Sequence, residues 1–263
     1  MMPGRMTDDD LIAIPTGTFT MGAPDGPHPE DGEGPERPVT LSAYRIGRTT
    51  VTAEAFARFV ADTGFITTAE RAGGSLVFAG ELVDPDRFVV AAAVTPWWRW
   101  VPGACWQAPQ GRGPGNSALP VVHVCHDDAL AYAGWSGCRL PTEAEWECAA
   151  QTPGGPPHIW QGRFPNAPST PPGPMPAASG RANAQGLLHA TGNVWEWVAD
   201  RFTRLHGPGA LTDPKGPLNG DLRVVKGGSF LCCPSYCARF RPSSRRGEPP
   251  QATASNLGFR VAR

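Results

Sequence analysis

Residues 227–241 read GGSFLCCPSYCARFR and carry three of the chain's seven cysteines, Cys232, Cys233 and Cys237. Four chemistries are open to such a cluster. Structural zinc needs four ligands, commonly supplied as two close pairs. Here Cys232 and Cys237 stand five apart, no Cys-x-x-Cys occurs, and the histidine nearest in sequence is His206. A Cys232–Cys237 disulfide fits a tight loop, and in a reducing compartment it would be redox-active or absent. Buried thiols also serve as small apolar groups, but Pro234, Ser235 and Tyr236 between the outer cysteines read as a turn. Two thiolates with no histidine or carboxylate beside them suit a soft, low-coordinate cation, and Cu(I) is the natural candidate.

The elements that must position these thiols are short. LIAIPTGTFTMG (11–22) reads as a strand ending at Gly22, and APDGPHPEDGEGPER (23–37) as a polar loop. PVTLSAYRIGRTTV (38–51) reads as a strand or hairpin. Thr52 caps a predicted helix over 53–63, with Phe56, Phe59 and Val60 on one face and Gly64 as its stop. PWWRWVPGACW (96–106) carries four tryptophans, either a packed aromatic cluster or a rim facing a substrate. A second helix is predicted over 127–136, and a third begins at the capping box Thr142-x-x-Glu145. Residues 151–180 form a long Pro/Gly/Ala loop, followed by GNVWEWVAD (192–200) and a second proline-glycine loop. RVVKGGSF (223–230) and NLGFRVAR (256–263) close the chain as strands. With 1–10 as a loose tail, the pattern is one mixed α+β domain over 11–263.

Composition excludes several classes. A net charge of −1 lacks the basic surface of a general nucleic-acid binder. No window reaches the roughly 18 apolar residues of a membrane helix. MMPGRMTDDDLIAIP has no apolar signal-peptide core, so a cytoplasmic setting with reduced thiols is expected. The 32 glycines and 30 prolines approach a disordered composition, but nine tryptophans and eleven phenylalanines argue for a fold with irregular loops.

The chain resembles the formylglycine-generating enzymes, or sulfatase-modifying factors. The resemblance runs through IPTGTFTMG, FITTAERAGGSLVFAGEL, TPWWRWVPGACW, RLPTEAEWE, IWQGRFP, GNVWEW, RVVKGGSFLC-x-x-x-x-C-x-R-F-R and ASNLGFR. RLPTEAEWE and GNVWEW belong to a wider superfamily; the pair Cys232/Cys237 is specific to the formylglycine branch. The resemblance implies a single domain of C-type-lectin-like topology. It implies O2-dependent oxidation of a cysteine, within a Cys-x-Pro-x-Arg segment of an unfolded sulfatase polypeptide, to Cα-formylglycine. It also implies Cu(I) held by Cys232 and Cys237, with Ser229, Tyr236, Arg245 and Asn256 around the site and Trp195 lining it. No nucleic-acid or membrane partner is expected, and the chain is expected to be a monomer.

The resemblance further implies calcium at one site, on the carbonyls of Gly192 and Val194 and the carboxylate of Glu196. There His189 replaces an asparagine of the family. A second family calcium site is expected to be weakened or empty, because His158 replaces its asparagine and STPPGPMPAASG (169–180) offers no acid. RGEPPQAT (246–253) departs from the family's polar run beside the substrate groove. Cys233 is unusual, and in an extended segment its side chain would point away from its neighbours' face. Two other function classes are open on this scaffold. A non-catalytic binding module is one, since fold does not fix function. An iron sulfoxide synthase is the other, but it needs His-x-x-x-His-x-Glu, which the six histidines do not form.

Overall fold

The computed structural model describes residues 10–24, 26–166, 172–207 and 209–263. Residues 1–9 of the expected tail lie outside them. Among the described residues, twelve short strands occur in chain order: β1 (Leu11–Ile14), β2 (Gly17–Met21), β3 (Arg37–Leu41), β4 (Tyr44–Gly47), β5 (Gly74–Phe78), β6 (Val89–Val90), β7 (Trp98–Pro102), β8 (Trp195–Arg201), β9 (Leu211–Thr212), β10 (Arg223–Lys226), β11 (Arg245–Glu248) and β12 (Leu257–Phe259). Four helices accompany them: α1 (Ala53–Thr63), α2 (Thr68–Ala72), α3 (His126–Trp135) and α4 (Glu143–Ala150). None is long and apolar enough to cross a membrane.

The predicted strand over 11–22 is two strands. Pro15 lacks an amide donor and ends the first. β1 pairs antiparallel with β4, and β2 with β3, so 38–51 is not a hairpin folded on itself. The helix over 53–63 forms as expected: the Thr52 hydroxyl accepts the Ala55 N–H, and Gly64 closes the helix in the left-handed conformation. The Thr142/Glu145 capping box forms too. Helix α2 was not expected, although its own capping box, Thr67-x-x-Glu70, stands in the sequence. Strands β5, β7 and β11 were also not expected; their residues alternate too little to be read as strands without partners.

The site-bearing sheet has the order β11–β10–β8–β12, with β12 parallel to β8. Helix α4 lies against it, and its acids are buried. Lys226 of β10 donates to Glu147 at 2.8 Å, and Arg245 of β11 makes a paired contact with Glu143 at 2.6 and 2.9 Å. Burial pushes Glu143 up, but Arg245 and Lys226 outweigh it and hold the carboxyl down at about 2. Asp200 of β8 accepts the Glu143 amide at 2.8 Å and faces no such pair of cations. Burial, and then the Glu143 charge, push it up to about 7.

The Asp200 shift has a sign. The folded protein holds this proton more tightly than the unfolded chain, so the penalty for ionised Asp200 is full above about pH 7 and vanishes as pH falls towards 4. Asp200→Asn keeps an acceptor for the Glu143 amide without the charge. It should stabilise the protein by on the order of 3 kcal/mol at pH 8, and by progressively less towards pH 5. Urea unfolding of both proteins at the two pH values measures the difference; a difference independent of pH would remove the assignment.

Candidate active site

The thiol turn leaves β10 through Gly227 and Gly228. Both are left-handed, with φ of 90° and 72°. A Cβ at Gly227 would sit 3.0 Å from the Trp146 ring, and one at Gly228 would run into the Arg239 carbonyl. Only glycine fits both positions. The chain then turns twice. Cys232 N–H donates to the Ser229 carbonyl at 2.9 Å, and the Cys233 carbonyl accepts from the amides of Tyr236, Cys237 and Ala238 at 3.0–3.2 Å. The double turn brings Cys232 and Cys237 together as reduced thiols, 3% and 7% exposed, in hydrogen-bond contact with each other.

The two thiols differ in acidity. The hydrogen bond from Cys232 holds Cys237 down at about 6, against burial and with help from the backbone amides of Arg239 and Cys233. Giving that bond, and then burial, push Cys232 well above the ordinary thiol range. Among the described residues no third histidine, cysteine or carboxylate completes a metal cluster here. Two buried sulfurs, one readily ionised, are a donor set that fits a soft cation with an open position.

The structure gathers most of the expected residues at this turn. Ser229 N–H points at the Cys232 sulfur at 3.5 Å, and Asn256 Nδ2 donates to the Ser229 hydroxyl at 3.0 Å. The Trp195 backbone N–H donates to the Asn256 carbonyl at 2.8 Å, and its side chain packs in the same core cluster as both cysteines. Tyr236 is 46% exposed and stacks on Phe164, with ring centroids 4.3 Å apart and Trp97 edge-on at 5.4 Å. Both readings of the tryptophan-rich stretch therefore hold in part: Trp97 edges this open face, whereas Trp106 is buried against Phe56. Cys233 points into a separate cluster with Phe78, Trp160, Phe230 and Leu231. It lies away from the pair as expected, though in a turn and not in an extended segment.

Arg245 stands elsewhere. Its guanidinium is buried between Glu143 and the carbonyls of Asp31, Gly32 and Thr203. Every nitrogen is engaged within the protein, so it supports the sheet and does not face the thiols. Sequence reasoning read 23–37 as a polar loop but missed that residues 28–33 pack on the residues following Cys237. The only signal for it was the run of acids in HPEDGE, which matches the run of arginines after Cys237.

Comparison with known proteins identifies the family and the fold. The model of the sulfatase-modifying factor enzyme 1-like domain matches residues 2–263. A formylglycine-generating enzyme of Thermomonospora curvata is 45% identical over 96% of this chain and 92% of the relative. The chain belongs to the sulfatase-modifying factor family of formylglycine-generating enzymes. The Mus musculus formylglycine-generating enzyme is 40% identical, over 96% of this chain and 74% of its own length. The structure of PvdO from Pseudomonas aeruginosa superposes with a TM-score of 0.68 at 23% identity, covering 96% of this chain and 93% of that one, a likeness of fold. The single domain has the C-type-lectin-like topology expected of the family.

The calcium site expected by resemblance to this family does not fit the residues as they stand. Both oxygens of Glu196, 1% exposed, accept from Arg260, at 2.6 and 2.7 Å, and one also accepts from Trp146 Nε1 at 2.8 Å. A guanidinium thus occupies the place where a divalent cation would need the carboxylate. His189 faces the Ser179 hydroxyl at 3.1 Å, and burial holds its pKa below the ordinary value, so the ring offers a nitrogen and no oxygen. His158 faces the Gly173 carbonyl at 2.8 Å. Part of the second calcium segment, residues 169–171, lies outside the described residues.

Millimolar Ca2+ or a chelator should therefore leave the melting temperature unchanged. Arg260→Ala, which strands a buried carboxylate, should cost about 3–5 kcal/mol. A calcium-dependent rise in melting temperature that Glu196→Ala abolishes would overturn this assignment.

Proposed function

We propose that this chain oxidises a cysteine of a sulfatase polypeptide to Cα-formylglycine, with O2 as electron acceptor and Cu(I) held by Cys232 and Cys237. The observation that carries the proposal is the pair of buried, adjoining thiols, with no third histidine, cysteine or carboxylate completing a cluster among the described residues, in a chain of this family. Cu(I), when bound, supplies a redox-active centre with room for a further sulfur.

The chain's own residues supply the rest. Ser229 N–H and the Asn256–Ser229 hydrogen bond fix the Cys232 side of the pair. Burial excludes water from both sulfurs. The exposed Tyr236 ring, backed by Phe164 and Trp97, offers an apolar face for the residues flanking the substrate cysteine, which in the family lie within Cys-x-Pro-x-Arg. Two electrons and two protons pass from the substrate's Cβ–SH to O2, which is reduced to hydrogen peroxide, and the substrate is left as a thioaldehyde. Water then replaces its sulfur, leaving the aldehyde and hydrogen sulfide.

Protein loaded with Cu(I), given a Cys-x-Pro-x-Arg peptide and O2, should yield the aldehyde peptide by mass spectrometry. Cys232→Ala and Cys237→Ala should each lower turnover by on the order of 10³-fold or more while the protein stays folded. Undiminished turnover in either variant would refute the mechanism. Peptide binding without oxidation by the loaded wild type would mark the chain as a binding module. Cys233 faces the other cluster, so Cys233→Ala should stay within a few-fold of wild type; a loss of ~100-fold, about 2.7 kcal/mol, would make it part of the chemistry.

A further inference from the structure

Ala238, the residue after Cys237, has φ of 49°. The left-handed region is sterically costly for a residue with a Cβ, and such a conformation persists only where its surroundings over-determine it. The surroundings here come from far away in the chain. The carbonyl of Cys237, which opens the strained peptide, lies 2.6 Å from His28 Nε2. A ring nitrogen facing a carbonyl at that distance must donate.

His28 leads into a single turn of 3-10 helix over Pro29–Asp31. Two of this loop's three acids, Asp31 and Glu33, are buried, and each is met by the segment that follows Cys237. Arg239 binds both oxygens of Asp31, at 2.5 and 3.2 Å. Arg241 and the Ser243 hydroxyl bind the two oxygens of Glu33, at 2.5 and 2.9 Å. Arg245 donates to the carbonyls of Asp31 and Gly32. Alternate residues from 239 to 245 thus present one face to the loop, and charge-assisted bonds of this kind are the strong ones.

We infer that loop 28–33 is a clamp that sets the position of the Cys237 sulfur, with His28 as the positioning residue that holds the strained Cys237–Ala238 peptide. The inference concerns the sulfur pair of the proposed function and rests on that reading for its use in catalysis; the clamp itself is read from the fold. His28 touches neither sulfur. Its effect runs through the backbone, so loss of its hydrogen bond should let the turn relax and open Cys237 to solvent.

The experiment uses the metal-free full chain and two readouts: the rate at which iodoacetamide alkylates Cys237, followed by peptide mass mapping, and Cu(I) affinity measured against a competing chelator. His28→Phe should raise Cys237 alkylation about tenfold and weaken Cu(I) binding by a similar factor. His28→Gln, whose amide still donates, should stay within about threefold of wild type. Ala238→Gly in the His28→Phe background should recover most of the loss, since glycine enters the left-handed region without a Cβ clash. A purely structural role for His28 would not predict that recovery.

Unchanged alkylation in His28→Phe, or an equal loss in the Ala238→Gly background, would overturn the clamp. If His28→Phe does not fold, Asp31→Asn gives the same two readouts, expected to move in the same direction; no change there would equally overturn it. A wild type that binds no Cu(I) but shows the alkylation pattern above would sink the proposed function and leave the clamp standing.

Discussion

The molecule depends on a buried charge exchange between helix α4 and the sheet beneath it. Glu143 and Glu147 lie one turn apart on the helix, and both are inside the protein. Removing two carboxylates from water is costly unless each is paired and hydrogen-bonded. Lys226 and Arg245, on adjacent strands, meet that requirement. One strand-to-helix contact therefore sets the register of β10 and β11. The turn carrying the thiols begins immediately after Lys226, so the same contact sets where that turn starts.

Arg245 carries the constraint further. Its remaining donors reach the carbonyls of Asp31 and Gly32, so the helix, the sheet and the 28–33 loop share one guanidinium. Glu147 reaches the same region from the other side, accepting the Gly22 amide at 2.6 Å. A chain with so little regular structure keeps its long loops in place through such shared side chains. Loops without backbone ladders must find partners for their polar groups elsewhere, and here buried arginines supply many of them.

The same logic separates the two walls of the site. On one side, Glu196, Arg260 and Trp146 lock β8 to the residues that follow β12, which holds Trp195 and Asn256 beside the turn. That wall is buried and its charges are paired. On the other side, Tyr236, Phe164 and Trp97 form a partly exposed aromatic face without charge pairing. The sulfur pair lies between a locked wall and a partly exposed apolar one.

Local chemistry was legible in the sequence wherever one segment decides its own structure. The Thr52 cap, the Thr142/Glu145 capping box and the Gly64 stop depend on neighbours within four residues, and all three formed as read. The spacing of Cys232 and Cys237 around a Pro-Ser-Tyr turn likewise marked the two sulfurs as neighbours, although His28, from far away in the chain, meets the peptide that follows Cys237. The thiol environment, the position of Arg245 and the pairing of Glu196 were decided only by tertiary structure. Arg245 and Glu196 are charged residues on short strands, and sequence alone offers each several partners. Which one it meets depends on the packing of α4 against the sheet and of the C-terminal strand against β8. The 28–33 loop shows the same limit most clearly: its acids read as solvated polar residues until a fold places them, across some two hundred residues of chain, against the arginines that follow Cys237.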